Sequence, residues 1–154
     1  MIVSNVVQQG AEAVISLVDG KIVKERVEKG YRLKELDNKL RLRRTRGEAK
    51  ILGKLSKVID VPLVVEVDKF EIKMEFIDGM KLSEELENLD WREVCKKIGF
   101  LVGRMHDVGI VHGDLTTSNM IWKDGSEGEN GLSGGKVYFI DFGLGFHSDK
   151  IEDK

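Results

Sequence analysis

The sequence predicts an α+β fold with two lobes, and three observations carry that prediction. β-branched runs of strand character fill residues 2–27 and recur at 62–78, on either side of one long helical segment. After Gly79 an amphipathic helical pattern takes over, and two short strands follow between 119 and 141. A cleft between the two lobes, with a hinge near residues 75–80, is therefore the expected ligand site.

The expected N-terminal lobe, residues 1–77, contains five strands and one helix. The runs IVSNVV, AVISLV and KIVKERV predict three strands, and the Asp19-Gly20 turn joins the second and third as a hairpin. The runs PLVVEVD and FEIKMEFID predict the other two strands. Residues 33–58 between them have helical composition, and the expected apolar face of that helix consists of Leu36, Leu40, Ile51, Leu52 and Leu55.

The expected C-terminal lobe, residues 78–154, begins with a short helix in LSEELENL. Asp90 stands three residues before Glu93, which predicts a capped start for a long amphipathic helix that Gly109 ends. The runs NMIW and KVYFID then predict a hairpin, and the glycine-rich segment KDGSEGENGLSGG between them predicts a flexible loop.

Composition limits the classes of function. The chain has 154 residues, 41% hydrophobic and 34% charged, and its 25 basic and 27 acidic side chains leave a net charge of only -2. This balance predicts a folded protein without a global field that would attract nucleic acid. Cys95 is the single cysteine, and the sequence has neither a secretion-signal pattern nor an apolar run of membrane-spanning length. A cytoplasmic location without membrane contact is the expectation.

Two polar motifs point to phosphoryl transfer from a metal-bound nucleotide. VHGDLTTSN places Asp114 five residues before Asn119, and FIDFG ends a strand at Asp141. Carboxylate and amide oxygens suit Mg²⁺, which takes few protein ligands and keeps several waters. Asp114 at the loop tip is then free to accept a proton from an attacking hydroxyl. The alternative is that the first motif is a polar surface loop and the second an ordinary strand ending.

These motifs, with Lys24 in KIVKERV and Glu48 in RTRGEAK, resemble the protein-kinase-like superfamily. More narrowly, the runs QQGAEAVI, VKERVEKGYR, RRTRGEAKIL and VHGDLTTSNM resemble the PRPK family of small atypical kinases, the kinase subunit of the KEOPS complex. The resemblance implies a kinase-like two-lobe fold, with a five-stranded antiparallel sheet and one long helix in the N-terminal lobe and a mainly helical C-terminal lobe. Only eleven residues follow Gly143, so the C-terminal lobe is expected to be incomplete.

The resemblance also implies roles for individual residues. Lys24 neutralises nucleotide phosphates, Glu48 pairs with Lys24 to aim it, and Asp114 is the catalytic base. Asn119 and Asp141 hold the metal. The remaining expected ATP contacts are Gly10 in the flap, Ile22 and Ile121 around the base, and the hinge residues Glu75 and Ile77. Taken without the resemblance, Lys24 reads as an exposed strand lysine and Glu48 as the partner of Arg44 on one helix face.

Three departures from the common kinase pattern favour this subfamily. The flap QQGAEA has one glycine where three are usual, and Thr116 stands where protein kinases place a lysine. Gly113 replaces the arginine that receives a phosphorylated activation loop in many kinases. Activation by loop phosphorylation therefore has no evident receiver.

The expected function is that of an ATP- and Mg²⁺-dependent serine/threonine kinase or ATPase in the threonylcarbamoyl modification of tRNA adenosine. Its implied partners are the other KEOPS subunits, above all the subunit that transfers the threonylcarbamoyl group. The run RLRRTR suggests either a solvated helix face or a tRNA contact through Arg41, Arg43, Arg44 and Arg46. Two alternatives remain: a pseudokinase-like scaffold and a small-molecule kinase of the aminoglycoside phosphotransferase type. A RIO-type kinase is disfavoured, because the helical N-terminal extension of that type is not found in this sequence.

Overall fold

The computed structural model describes residues 5–10, 12–125 and 134–154, and within them the chain forms three sheets and two long helices. The strands of the first sheet are β1 (Asn5–Gln9), β2 (Ala13–Val18), β3 (Lys21–Arg26), β4 (Val64–Val67) and β5 (Glu71–Glu75). The short strands after them are β6 (Met80–Lys81), β7 (Ile110–Val111), β8 (Met120–Lys123), β9 (Lys136–Phe139) and β10 (Phe146–His147). The helices are α1 (Lys34–Leu55), α2 (Leu82–Glu85) and α3 (Trp91–Asp107).

The first five strands form one antiparallel sheet in the order β1-β2-β3-β5-β4. Asp19 and Gly20 both have positive φ, 48° and 70°, which is the geometry of the tight hairpin turn that their sequence predicts. Strand β3 lies at the centre, so Lys24 is paired with Ile15 on one side and Ile72 on the other. The α+β class and the five-stranded antiparallel sheet are confirmed.

Helix α1 buries two different faces along its length. Its second half follows the predicted apolar pattern, with Leu52 and Leu55 fully buried. In its first half the prediction of an apolar face is wrong, because Leu36 is half exposed and the buried side chain there is Asp37. Asp37 pairs with Arg41 on the same helix at 2.7 Å and with Arg32 just before the helix at 3.5 Å, so this buried carboxylate has charged partners.

The chain passes from the first sheet to the second between β5 and β6, over residues 76–79. A hinge near 75–80 stays a prediction. Gly79 permits this crossing, since a Cβ there would lie 2.5 Å from the carbonyl oxygen of Trp122. Strand β6 then pairs with β8, and β8 with β9, while β7 pairs separately with β10. The sequence did not reveal β6, β7 and β10, because two-residue strands leave no periodic pattern.

The second lobe contains α2, α3 and these short strands within the described residues, so it is less helical than expected. The predicted cap of α3 is present, since the Asp90 side chain accepts a hydrogen bond from the Glu93 amide. The predicted loop 123–135 falls largely outside the described residues. No helix in the described parts of the chain combines the length and apolar character needed to cross a bilayer.

One apolar core runs through both lobes. Leu52 and Ile72 contribute from the first lobe, and Met105, Phe139 and Phe142 contribute from the second. Phe142 is completely buried, and it directly follows Asp141 in the chain. The core therefore fixes the backbone from which Asp141 projects toward the cleft.

Candidate active site

Lys24 lies between two carboxylates that come from different lobes. Its Nζ atom is 2.7 Å from Glu48 Oε1 and 2.7 Å from Asp141 Oδ1. Lys24 and Glu48 are buried, whereas the Asp141 side chain remains 46% exposed. The structure thus brings together three of the residues that the resemblance singled out. It also excludes the simple helix-face pairing of Glu48 with Arg44, because Arg44 contacts Glu12 instead.

Arg26 is a fourth charged group in this cluster, and the sequence reasoning missed it. Its Nη2 atom lies 2.6 Å from Glu48 Oε2, so each oxygen of the Glu48 carboxylate contacts a different cation. Arg26 is two residues beyond Lys24 on β3, which places both side chains on the same face of the strand. The signal in the sequence was the K-x-R spacing, which means little until the glutamate opposite is known.

Asp141 sits in an uncommon backbone conformation, with φ at 60°. Burial by itself would raise the pKa of its carboxyl, but the Lys24 ammonium and the hydrogen bonds from Lys24 and the Gly143 amide outweigh burial. The pKa of Asp141 is therefore held below its ordinary value. The group is a carboxylate at neutral pH, as a metal ligand must be.

The loop across the cleft presents Asp114 and Asn119 together. Asn119 Nδ2 donates to the backbone oxygen of Asp114 at 2.9 Å and to its carboxylate Oδ2 at 3.0 Å. These two bonds fix the Asp114 side chain at the loop tip, where it is exposed. An ordered, exposed carboxylate of this kind can accept a proton from a bound hydroxyl.

His112 supports this loop from inside. Its Nδ1 atom accepts a hydrogen bond from the Asp114 amide at 3.3 Å, and its Nε2 atom lies 3.0 Å from the carbonyl oxygen of Ile140. Because the first contact needs a bare Nδ1, the proton resides on Nε2. Burial is the largest influence and lowers the pKa of His112, although the Ile140 carbonyl and nearby carboxylates act against it. A neutral imidazole therefore joins the Asp114 loop to the segment after β9 that leads to Asp141.

A mainly apolar cavity of about 320 Å³ opens beside Lys24. That volume suits a nucleobase and its sugar. Ile22 and Ile121 line it from the two lobes, and Glu75 and Ile77 line its hinge edge. The Glu75 amide already donates to the carbonyl oxygen of Leu63. Within the described chain the Ile77 amide and carbonyl have no hydrogen-bond partner, which leaves them open to a ligand.

A second cavity of about 240 Å³ adjoins the first, and half of the described residues that line it are charged. Lys24 and Asp141 border both cavities. Gly10 lines the second cavity, but its amide is committed to the carbonyl oxygen of Ala13. At Gly10 the flap therefore lines the cavity, but its amide is not available to a phosphate. Asp114 borders the same cavity from below.

Asn119 and Asp141 fit the requirements of a magnesium site. The Asn119 amide nitrogen faces Asp114, so its carbonyl oxygen is left for a ligand, and Asp141 Oδ2 has no hydrogen-bond partner in the described chain. Both residues line the larger cavity. The described residues contain no group of three or more His, Cys, Asp and Glu side chains at metal-binding distance. A cation that takes one or two protein oxygens and keeps its waters suits this arrangement.

Position 113 requires glycine because the backbone there makes a close contact. Its φ is 80°, and a Cβ at this position would collide with the carbonyl group of Leu144. An arginine cannot stand here without moving the chain after Asp141. The backbone conformation at position 113 therefore excludes the arginine that receives a phosphorylated loop in many kinases.

The four arginines of RLRRTR do not share one environment. Arg41 forms an ion pair with buried Asp37 at 2.7 Å and stacks on the Phe70 ring. Arg44 lies 2.7 Å from Glu12 of the flap. Only Arg43 and Arg46 of this set are exposed residues for which no ion pair is found in the described chain. The tRNA contact stays a prediction, and Arg43 and Arg46 are the two of the four arginines best placed to test it.

The sheet, the long helix bearing Glu48, and the two cavities that meet at Lys24 and Asp141 define a phosphotransferase domain of the protein-kinase-like class. The model of the RIO domain family matches residues 15–144. The chain therefore belongs to the RIO domain family, and within that class it is a relative of the Bud32 proteins. The expectation that disfavoured a RIO-type kinase is therefore wrong at the level of the domain.

Curated relatives support this placement. The chain is 46% identical over 162 residues to the KEOPS complex subunit Bud32 of Pyrococcus abyssi, covering 95% of this chain and 69% of that protein. It is 38% identical over 144 residues to a probable serine/threonine-protein kinase BUD32 homolog of Archaeoglobus fulgidus, covering 93% and 67%. A probable bifunctional tRNA threonylcarbamoyladenosine biosynthesis protein of Methanococcus maripaludis is 42% identical over 163 residues. The chain spans only 27% of that longer protein.

Solved structures support the fold. The Rio2 kinase of Chaetomium thermophilum superposes with a TM-score of 0.81 over 99% of this chain and 52% of its own, at 17% identity. The same kinase in its ADP/Mg²⁺-phosphoaspartate complex gives a TM-score of 0.79 over 99% of this chain and 50% of its own. The expected kinase-like fold is therefore confirmed.

Proposed function

We propose that this chain is an atypical ATP-dependent kinase or ATPase and that it acts as the kinase subunit of a KEOPS complex. The observation that carries the proposal is the position of Lys24. Its ammonium group lies 2.7 Å from both the carboxylate of Glu48 on α1 and the carboxylate of Asp141 after β9, at the junction of the two cavities. A cation held at this junction meets the phosphates of a nucleotide whose base occupies the apolar cavity.

In this proposal both lobes contribute residues that bind the nucleotide. Ile22 and Ile121 enclose the base, and Lys24 turns from Asp141 toward the phosphates. The Mg²⁺ that accompanies ATP neutralises phosphate charge and would be held by Asn119 and Asp141. Asp114 accepts the proton of the attacking hydroxyl, either from a protein side chain or from water.

The second lobe orients Asp114 by contacts that do not depend on a bound nucleotide. Asn119 holds its carboxylate from one side, and the neutral imidazole of His112 holds its amide from the other. This arrangement supports a loop that is ordered before ATP binds, which reduces the entropy lost on reaching the reactive geometry. It also supports activity that does not depend on loop phosphorylation, since Gly113 leaves no cation to receive the phosphate.

The names of two relatives are the basis for proposing assembly into KEOPS and a role in forming threonylcarbamoyladenosine in tRNA. The P. abyssi relative is named as a KEOPS subunit, and the M. maripaludis relative as a tRNA threonylcarbamoyladenosine biosynthesis protein. On this basis the proposed partners are other KEOPS subunits, in particular the subunit that transfers the threonylcarbamoyl group. A cytoplasmic location belongs to the same proposal, because ATP and tRNA are both available there.

The decisive experiment uses ATP labelled at the γ-phosphate, incubated with this chain alone and with the transfer subunit. Free phosphate and phosphoprotein are separated and counted, with and without Mg²⁺. A kinase produces labelled protein, an ATPase produces free phosphate, and both require Mg²⁺. If neither product forms under any condition, while the chain still assembles with the transfer subunit in the absence of nucleotide, the result would instead support the scaffold alternative.

The tRNA contact proposed for Arg43 and Arg46 has its own test. Replacing both with glutamine should weaken tRNA binding by the assembled complex and lower the slope of its salt dependence by about 1–2. ATP binding should not change. The matched control replaces Arg92 and Arg104 on α3, which removes the same charge from a distant helix. Equal tRNA affinity for the Arg43/Arg46 variant and the parent would refute the contact.

A further inference from the structure

We propose that Arg26 is a positioning residue for phosphoryl transfer, because it holds one oxygen of Glu48 so that the other oxygen aims Lys24. This inference rests on the proposed function, since it concerns the same reaction. It adds a residue to the apparatus that aims the lysine. It assigns the buried charge of Arg26 to the chemistry of the cleft instead of to folding alone.

The geometry of the carboxylate is the first argument. Lys24 and Arg26 project from the same face of β3, and they take separate oxygens of Glu48 at 2.7 and 2.6 Å. A carboxylate held by one flexible ammonium can rotate about its own axis. A second contact from a planar guanidinium on the other oxygen fixes the plane of the group. Lys24 is thereby directed by a carboxylate that cannot turn.

The balance of charge is the second argument. Without a nucleotide, the cations Lys24 and Arg26 match the carboxylates of Glu48 and Asp141. When Lys24 turns toward phosphate, buried Glu48 would lose its counter-charge if Lys24 were the only cation near it. Arg26 keeps Glu48 paired during that movement. Lys24 can then give its charge to the phosphates without leaving an isolated carboxylate in the interior.

The surroundings of Arg26 are the third argument. Arg26 borders the smaller cavity, which Asp114 and Asp141 also line, and it is not part of the described lining of the larger cavity. A Cβ added to Gly143 would lie 3.2 Å from Arg26 Nη2 and 3.8 Å from Glu48 Oε2. The chain after Asp141 therefore makes room for this guanidinium. Loss of Arg26 should disturb the transfer step more than the binding of the base.

The test compares Arg26→Met and Arg26→Lys with the parent chain, assembled with its partner if turnover requires it. We expect Arg26→Met to lower kcat for Mg²⁺-dependent ATP turnover by roughly 10- to 100-fold, because a misaimed group can cost that much. KM for ATP should change by less than about threefold, because the base contacts remain intact. Arg26→Lys, which keeps a cation near Glu48, should recover part of the lost kcat.

Chemical rescue separates positioning from folding. Arg26→Ala leaves a gap of guanidinium size beside Glu48, so added guanidinium at non-denaturing concentration should restore turnover. The matched control is Arg41→Ala, which removes another largely buried arginine that pairs with a buried carboxylate, Asp37. This control should lose stability without a comparable loss of kcat, and guanidinium should not rescue it.

Each outcome bears on one hypothesis only. If the parent chain and complex turn over no ATP, the proposed function fails before Arg26 is tested. If the parent is active and folded Arg26→Met retains its kcat, Arg26 does not position Glu48. A fall in kcat that neither Arg26→Lys nor guanidinium restores would also overturn the proposal, because a general loss of structure would then explain it.

Discussion

The two walls of the cleft use opposite physical means to hold charged groups. The sheet side buries Lys24, Arg26 and Glu48, and each is held by an ion pair at or below 2.7 Å. The loop side leaves Asp114 exposed and holds it through hydrogen bonds from Asn119 and from its own amide to His112. A buried charge needs a charged partner to remain stable, whereas an exposed one is already solvated and needs only orientation.

This difference separates stability from activity. On the sheet side a substitution removes the partner of a buried ion, so folding and function should fall together. On the loop side a substitution removes a solvated group, so function should fall while the fold survives. Four variants test the contrast, from the largest expected effect to the smallest.

Glu48→Gln should have the largest effect on folding. It leaves Lys24 and Arg26 buried without their shared carboxylate, and breaking such a pair costs about 3–5 kcal/mol. The free energy of unfolding, from urea denaturation, measures the loss. Glu35→Gln on the exposed face of the same helix is the control and should change stability by less than about 0.5 kcal/mol. Equal stabilities for the two variants would contradict the claim that charges on the sheet side of the cleft stabilise the fold.

Asp141→Ala should abolish turnover and spare the fold. Loss of one group that stabilises charge in the transition state costs about 10²- to 10³-fold in kcat. The thermal unfolding temperature should fall only modestly, because Lys24 keeps Glu48 as a partner and the Asp141 side chain is 46% exposed. Asp149→Ala, an exposed aspartate farther along the same segment, serves as the control. Normal Mg²⁺-dependent turnover by Asp141→Ala would show that the site is assigned incorrectly.

His112 should make stability depend on pH. Its pKa is lowered in the folded state, so its contribution is complete above the unfolded value of about 6.5 and is lost as pH falls through the folded value. Urea midpoints between pH 7.5 and 5 should therefore fall less for His112→Gln than for the parent. The control, His106→Gln, should keep the parental slope. Identical slopes for all three proteins would mean that His112 does not carry this pH dependence.

Arg44→Ala should have the smallest effect. Its pair with Glu12 joins the flap to α1 through two partly exposed side chains. Such a surface pair contributes about 0–1 kcal/mol, and salt should reduce this further. Denaturation at low and high salt measures it, with Arg43→Ala as the unpaired control on the same helix. A loss as large as that of Glu48→Gln would show that the flap is anchored by more than a surface pair.

The strands and helices were predictable where the hydrophobic pattern was long. The hairpin at Asp19-Gly20, the cap at Asp90 and the five-strand sheet followed from local chemistry. The polar start of α1 did not, because nothing local distinguishes a buried Asp37 from a solvated one. The two-residue strands were also invisible, since their pairing partners lie far away in the chain.

The sequence by itself determined which chemical groups this protein can bring to a reaction: the lysine, the acids and the amide stand in motifs with fixed spacing. Only the tertiary structure decided how those groups are paired. In the fold Glu48 contacts two cations, and one of them, Arg26, lies at the cleft. Arg41 and Arg44 form ion pairs within the chain. The physical reason is that an ion pair depends on distance and burial in space, and neither can be read from separation along the chain.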